Sequence, residues 1–296
     1  MRENEDAILL CGKDDQSGFN GNYKYLLEVG ESQKIIHTTL EALEKSELIS
    51  RIIIVGEEDA IRPFLRGREK DYHFIKPRGS IVDNLSAGIE KQQQINGDRD
   101  MLMVCSDLPF LTSQSLDWLV INSNTDDNID IPIVSEEDLL ALSPTYESYY
   151  YPMKEYPFKM GNNIFINTSL LDESRIRLLV ERYRETGSDN YLLMSLKRFA
   201  LLQEYGGFDA VYTLMMNYAS KGIQREFGKN SNIPFSSLRS KKDYERIISK
   251  IMDYKTSLLK SPHIDMVLDV DSALRYEIFK RGYNQIRDKI RNNTVK

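Results

Sequence analysis

The sequence predicts an open α/β sheet, mostly parallel and flanked by helices, and three observations carry that expectation. The stretch Met101 to Cys105, M-L-M-V-C, is five apolar residues without helical spacing, as in a strand buried on both faces inside a parallel sheet. Short apolar strands alternate with helical stretches from Ala7 to Val134. A glycine-bearing loop follows the first of those strands, where backbone N–H groups can wrap a phosphate chain.

Taken in order, Ala7 to Cys11 reads as a short buried strand that runs into G-K-D-D-Q-S-G-F-N-G-N-Y-K. Glycines 12, 18 and 21 make that stretch a loop, and Lys13 and Lys24 supply charge beside it. It is neither a Walker loop nor a G-x-G-x-x-G. Ile36, Leu40 and Leu43 share one face of a helix over Lys34 to Lys45, and R-I-I-I-V-G is a second buried strand. A helix near Asp59, a short strand at His73 to Ile75, the loop K-P-R-G-S and a helix from about Ile81 to Gln94 come next. After the M-L-M-V-C strand, Ser113 to Asn122 reads as helix and Ile129 to Val134 as strand. The pattern changes near Tyr146, with a tyrosine-rich polar loop before M-G-N-N-I-F-I-N, whose second half reads as a strand. Residues 171–262 read as largely helical, and Leu192, Leu193, Leu196 and Phe199 fall at the spacing of a small helical core. H-I-D-M-V-L-D-V-D reads as a last strand, after which Ser272 caps an amphipathic helix running to about Ile290.

With 296 residues the chain has room for one large α/β domain or two ordinary ones. Its 41% hydrophobic and 28% charged residues are those of a folded globular protein, with Tyr, at 17, in excess. A net charge of -6 argues against nucleic acid as a partner, because a basic footprint is expected there. That charge is segregated: residues 171–262 hold 16 Lys and Arg against 11 Asp and Glu, a balance of +5 that leaves -11 elsewhere. Cys11 and Cys105 sit in apolar strands and read as buried thiols of a reducing compartment. M-R-E-N-E-D is too acidic for a signal peptide, and no run approaches the roughly eighteen apolar residues of a membrane span. The expected location is the cytoplasm.

Acidic residues stand past two expected strands: Asp107 after M-L-M-V-C, and Asp269 with Asp271 after the last one. Ligands of open α/β sheets bind outside the carboxyl ends of the strands. Magnesium takes a few carboxylate oxygens and completes its shell with phosphate and water, so two such carboxylates at one edge suffice for phosphoryl or nucleotidyl transfer. Each of the three also reads as an ordinary cap or turn residue, and both readings stay open at this point. His37, His73 and His263 read as structural or exposed, and no Ser-His-Asp or Cys-His arrangement competes.

The order of these features resembles the nucleotidyltransferases with a GT-A-like, Rossmann-like fold, among them the guanylyltransferases of molybdenum-cofactor synthesis, the cytidylyltransferases of isoprenoid synthesis and the sugar-phosphate nucleotidyltransferases. The resemblance spans most of residues 6–167 and 263–285. It rests on A-I-L-L-C-G with Y-K-Y-L-L-E-V-G, on C-S-D-L-P and on D-V-D-S. It implies that Lys24 neutralises nucleotide phosphates beside Gly12 and Lys13, and that Asp107 and Asp271 hold Mg²⁺ with Asp269 as a substitute ligand. R-G-S-I-V-D-N-L-S-A-G resembles the family's segment near base and ribose, which makes Gly79, Ser80, Asn84 and Gly88 nucleotide-binding candidates. M-G-N-N implies that Gly161 and Asn162 shape the acceptor side. The implied reaction moves a nucleoside monophosphate from a triphosphate to a small anionic, phosphate-bearing acceptor and releases pyrophosphate. Residues 1–170 and 263–296 are the expected core, and 171–262 a helical elaboration over the acceptor side.

The first loop departs from the family's A-G-G-x-S-x-R-x-G: Cys11 replaces a small residue, Lys13 replaces the second glycine, and Asp14 and Asp15 add negative charge. Two other readings therefore stand beside this one. D-V-D suits a GT-A glycosyltransferase using a nucleotide-sugar, and the altered loop suits a non-catalytic nucleotide-binding protein.

Overall fold

Alternating side chains on the central strands decide the layering. In β1 (Glu5–Leu10) and just beyond it, Ala7, Leu9 and Cys11 join one apolar cluster while Ile8 and Leu10 join another, as the two-residue period of a strand requires. Each face therefore needs its own helical cover. The computed structural model describes residues 4–12, 23–30, 33–79, 81–124, 126–127, 129–142, 150–168, 204, 207, 210, 212–213 and 239–293.

After the first loop comes a 3-10 turn, Lys24–Leu26, and a small ribbon of β2 (Glu28–Val29) and β3 (Gln33–Lys34). Helix α1 (Ile35–Lys45) leads to β4 (Ile49–Val55), a short α2 (Glu58–Ile61) and β5 (Asp71–Ile75). Helix α3 (Ile81–Asn96), β6 (Asp100–Cys105), α4 (Ser113–Asn122), β7 (Ile129–Ser135) and α5 (Glu136–Leu142) complete the alternating part. Strands β8 (Phe158–Met160) and β9 (Ile164–Asn167) follow, then α6 (Lys241–Met252), β10 (Thr256–Lys260), a 3-10 turn at Ile264–Val267 and the long α7 (Ala273–Asn293).

The sheet order is β10-β7-β9-β6-β1-β4-β5, with β8 on β7. Strands β6, β1, β4 and β5 run parallel, β9 enters antiparallel between β6 and β7, and β10 runs parallel to β7. The carboxyl ends of the parallel strands thus share one edge. The α/β, Rossmann-like, mostly parallel sheet expected from the sequence is the fold observed.

One face is covered by α1, α4 and α7 through Leu40, Leu43, Leu119, Phe279 and Tyr283, and the other by α3 through Ile89. Helix α3 lies close to β1 because Gly88 has no side chain: a Cβ there would stand 2.7 Å from Ile8. Among the described residues no helix is long and apolar enough to cross a membrane.

Two stretches differ from expectation. H-I-D-M-V-L-D-V-D is not a strand; it forms the Ile264–Val267 turn and then a stretch without regular secondary structure. Asp265, fully buried, explains this. Its Oδ2 accepts from the Thr112 N–H at 2.8 Å, the Thr112 hydroxyl at 2.8 Å and the Ser115 hydroxyl at 2.7 Å, fastening the segment to the start of α4. Conversely T-S-L-L-K, within the stretch expected to be helical, is β10, so 241–262 supplies a helix and a strand to the sheet layer. Leu192, Leu193, Leu196 and Phe199 lie outside the described residues, as do Lys13 and Ser80.

Candidate active site

The end of β6 holds the site's first carboxylate. Ser106 continues the ladder by donating its N–H to Leu10 O at 3.2 Å, and the Val270 N–H donates to Asp107 O at 3.0 Å. Asp107 is thereby fixed between β1 and the 268–271 segment. Among the described residues its buried Oδ1 has no hydrogen-bond partner, and its Oδ2 lies 4.0 Å from Lys24 Nζ. Burial, then the charge of Asp269, pushes its carboxyl up to about 6 against the opposing pull of Lys24.

Lys24 is placed by the turn that follows it. Tyr25 is fully buried, Leu27 donates its N–H to Lys24 O at 3.0 Å, and Ile35 donates to Leu27 O at 3.1 Å. Lys24, Asp107, Gly12, Gly79 and Asn84 line one cavity of about 260 Å³, with Ile81, Cys105 and Ser106. Asn84, nearly fully buried, shapes its rim: its Oδ1 accepts the Arg78 N–H at 2.7 Å. Gly79 has φ +112°, a conformation that side-chain-bearing residues rarely adopt. The thiols are not nucleophiles, since burial raises Cys11 to about 12 and Cys105 well above its ordinary value.

Asp269 stands next to Asp107 electrostatically but in the opposite state. Burial alone raises its carboxyl, yet Lys159, Arg275 and a hydrogen bond from Asn162 outweigh burial and hold it below the usual range. Lys159 Nζ is 2.6 Å from its Oδ1, and Arg275 Nη1 is 3.5 Å from the same atom. Asp271 is about half exposed and pairs with Arg275 one helical turn on. The two aspartates of D-V-D therefore occupy different surroundings, and the inward one is Asp269.

Asn162 is held by backbone bonds from both sides. The Gly161 N–H donates to Pro132 O at 2.7 Å and the Asn162 N–H to Met266 O at 3.3 Å, while a Cβ at Gly161 would meet Pro132 Cγ at 2.7 Å. Asn163, fully buried, accepts the Cys105 N–H at 3.2 Å and so ties this turn to the end of β6.

Most expected residues thus converge, with two differences. Gly88 packs α3 on Ile8 and does not line the cavity, and the charge of Asp269 acts on Asp107 more strongly than that of the more exposed Asp271. Lys159, Arg275 and Asn163 were not expected. Lys159 lies on β8 two residues before Gly161, which follows that strand, and Arg275 lies in the first turn of α7, four residues after Asp271, which precedes that helix. A larger cavity of about 320 Å³ lies between α1, Pro109–Gln114 and α7. It contains no expected site residue, so convergent chemistry, not size, places the site.

Among the described residues no group of three or more His, Cys, Asp or Glu is arranged to hold a metal. A divalent cation of oxygen preference still fits Asp107, whose buried Oδ1 lacks a partner, because magnesium needs only one or two protein carboxylates when phosphate and water complete its shell.

No protein-family model matches the sequence, and none of the curated proteins matches it. Solved structures do match in shape. A hypothetical transferase from Thermus thermophilus superposes with a TM-score of 0.67 at 20% identity, over 92% of this chain and 99% of that one. A 4-diphosphocytidyl-2C-methyl-D-erythritol synthase from Anaerococcus prevotii superposes with a TM-score of 0.52 at 13% identity, over 96% of this chain and 100% of that one. The chain shares their fold.

Proposed function

We propose that this chain is a nucleotidyltransferase that moves a nucleoside monophosphate from a triphosphate to a small phosphate-bearing acceptor and releases pyrophosphate. The observation that carries the reading is the convergence of Lys24 and Asp107 in a glycine-rimmed cavity at the carboxyl edge of the sheet, beside Asp269.

Lys24, held at the cavity wall, draws the triphosphate and offsets charge on its oxygens. Gly12 and Gly79 leave room for the nucleotide to approach backbone, and Asn84 fixes the loop that carries Gly79. Asp107, with Asp269 beside it, would hold Mg²⁺, which supplies charge neutralisation on the transferring phosphate. Gly161 and Asn162 position the acceptor side by holding the 264–269 segment. The protein's contribution is positioning and electrostatics, since phosphoryl centres need in-line alignment more than a protein nucleophile.

The test is binding of a panel of nucleoside triphosphates with and without Mg²⁺, followed by pyrophosphate release with phosphorylated acceptors. Triphosphate binding that strengthens with Mg²⁺ and weakens in Asp107→Asn is the expected result. Affinity indifferent to both would overturn the reading.

A further inference from the structure

Two carboxylates face each other electrostatically at this edge, and their remaining capacity to accept is unequal. Among the described residues the buried Asp107 Oδ1 has no hydrogen-bond partner, whereas Asp269 is already engaged by Lys159, Arg275 and Asn162. Compared with that of Arg275, the Lys159 contact is the shorter. Its ammonium reaches from β8 to Asp269 Oδ1 at 2.6 Å and to the Val267 carbonyl at 2.6 Å, with both ion-paired side chains largely shielded from solvent.

A divalent cation held between Asp107 and Asp269 needs lone pairs on both. An oxygen in a 2.6 Å contact with an ammonium cannot also take a metal ion without bringing two cations into mutual repulsion. A lysine, being a compact charge on a flexible four-carbon stem, can withdraw where a guanidinium fork would not.

We propose that Lys159 is the internal counter-cation of this site: it holds Asp269 in the absence of a divalent cation, competes with that cation for the carboxylate, and yields when the ion enters. This inference rests on the nucleotidyltransferase reading for the presence of the ion. It gives the edge a charge logic. Among the described residues, Lys24 stands by Asp107, Lys159 by Asp269, and Arg275 by Asp269 and Asp271, so these carboxylates have cationic neighbours without a metal. A divalent ion then adds positive charge to that of Lys24 and strengthens the draw on a polyphosphate.

The experiment measures Mn²⁺ binding to the full-length chain without nucleotide, by electron paramagnetic resonance, at a pH where Asp107 is ionised. Lys159→Met and Lys159→Gln are compared with the parent, with Lys24→Met as a charge-removal control at the same edge and Asp107→Asn, in each background, to read the dependence on Asp107. Competition predicts that both Lys159 variants bind Mn²⁺ about tenfold more tightly than the parent, a difference of about 1.4 kcal/mol. Lys24→Met should gain much less, because Lys24 stands 4.0 Å from Asp107 and makes no such contact with it.

Equal gains in the Lys159 and Lys24 variants would reduce the effect to background electrostatics and overturn the proposal. So would unchanged or weaker binding in Lys159→Gln, which retains a donor for Val267 O and guards against a variant lost to misfolding. If the parent binds Mn²⁺ in an Asp107-dependent way but Lys159 has no influence, only this inference fails. If no variant shows Asp107-dependent binding, the metal part of the functional reading fails with it.

Discussion

Asp107 and Asp269 are neighbours at one sheet edge, yet the fold treats them oppositely. Asp107 is pushed up to about 6 and left with an unpartnered buried oxygen, whereas Asp269 is pulled below the usual range by Lys159, Arg275 and Asn162. A buried charge left without partners costs stability, and proteins keep such groups where function needs them. Asp269 is built like a structural ion pair and Asp107 like a group awaiting a ligand. On the proposed reading, the difference makes Asp107 the reactive member and Asp269 the one whose availability is controlled.

The largest expected effect follows from removing the reactive member. Asp107→Asn should lower pyrophosphate release by about a thousandfold, on the scale of losing one preorganised electrostatic group. The same variant should gain stability in chelated buffer. Because the folded value of Asp107 lies above its unfolded one, its stabilising contribution is present below about pH 4 and is lost as pH rises through about 6. Asparagine cannot ionise, so denaturant unfolding should show the variant more stable at pH 8 by on the order of 1–3 kcal/mol, converging with the parent near pH 4. A variant less stable at pH 8 would make Asp107 a structural cap.

Lys24→Met should cost about a hundredfold in kcat/KM and weaken triphosphate binding more than nucleoside binding, read by calorimetry with both ligands. Equal losses for the two would remove Lys24 from the phosphate site.

Smaller effects sharpen the contrast from outside the cavity. Asp265→Ala should destabilise by about 1–3 kcal/mol, since it strips the acceptor from the Thr112 N–H and two hydroxyls. Thermal unfolding checks this. Gly88→Ala should cost about 1–3 kcal/mol by wedging α3 off Ile8 while leaving triphosphate affinity unchanged, and a selective loss of affinity would return Gly88 to the site.

How much of this was legible in the sequence differs between the two halves of the sheet. The half built around β1, β4 and β6 announces itself, because strands buried on both faces are continuous apolar runs and α1 between them carries Ile36, Leu40 and Leu43 on one face. Asp107 and Lys24 belong to that half. The other half is mixed: β10 is only T-S-L-L-K, too short and too polar to stand out, and the alternation of Ile264, Met266, Leu268 and Val270 mimics a strand. Their burial comes from Asp265 clamping the segment to α4, a contact across 150 residues that no local pattern encodes. For the same reason Lys159, brought to Asp269 from 110 residues away, was invisible, and the resemblance placed Asp271 ahead of Asp269.

The most direct test of the asymmetry is a carboxyl ¹³C NMR titration of aspartate-labelled protein, with Asp107→Asn and Asp269→Asn used to assign the two resonances. In chelated buffer Asp107 should titrate near pH 6 and Asp269 below the ordinary aspartate range, and Mg²⁺ with a triphosphate should drive the Asp107 titration downward. Two carboxyls titrating together at ordinary values, or an Asp107 resonance indifferent to Mg²⁺ and triphosphate, would contradict the account.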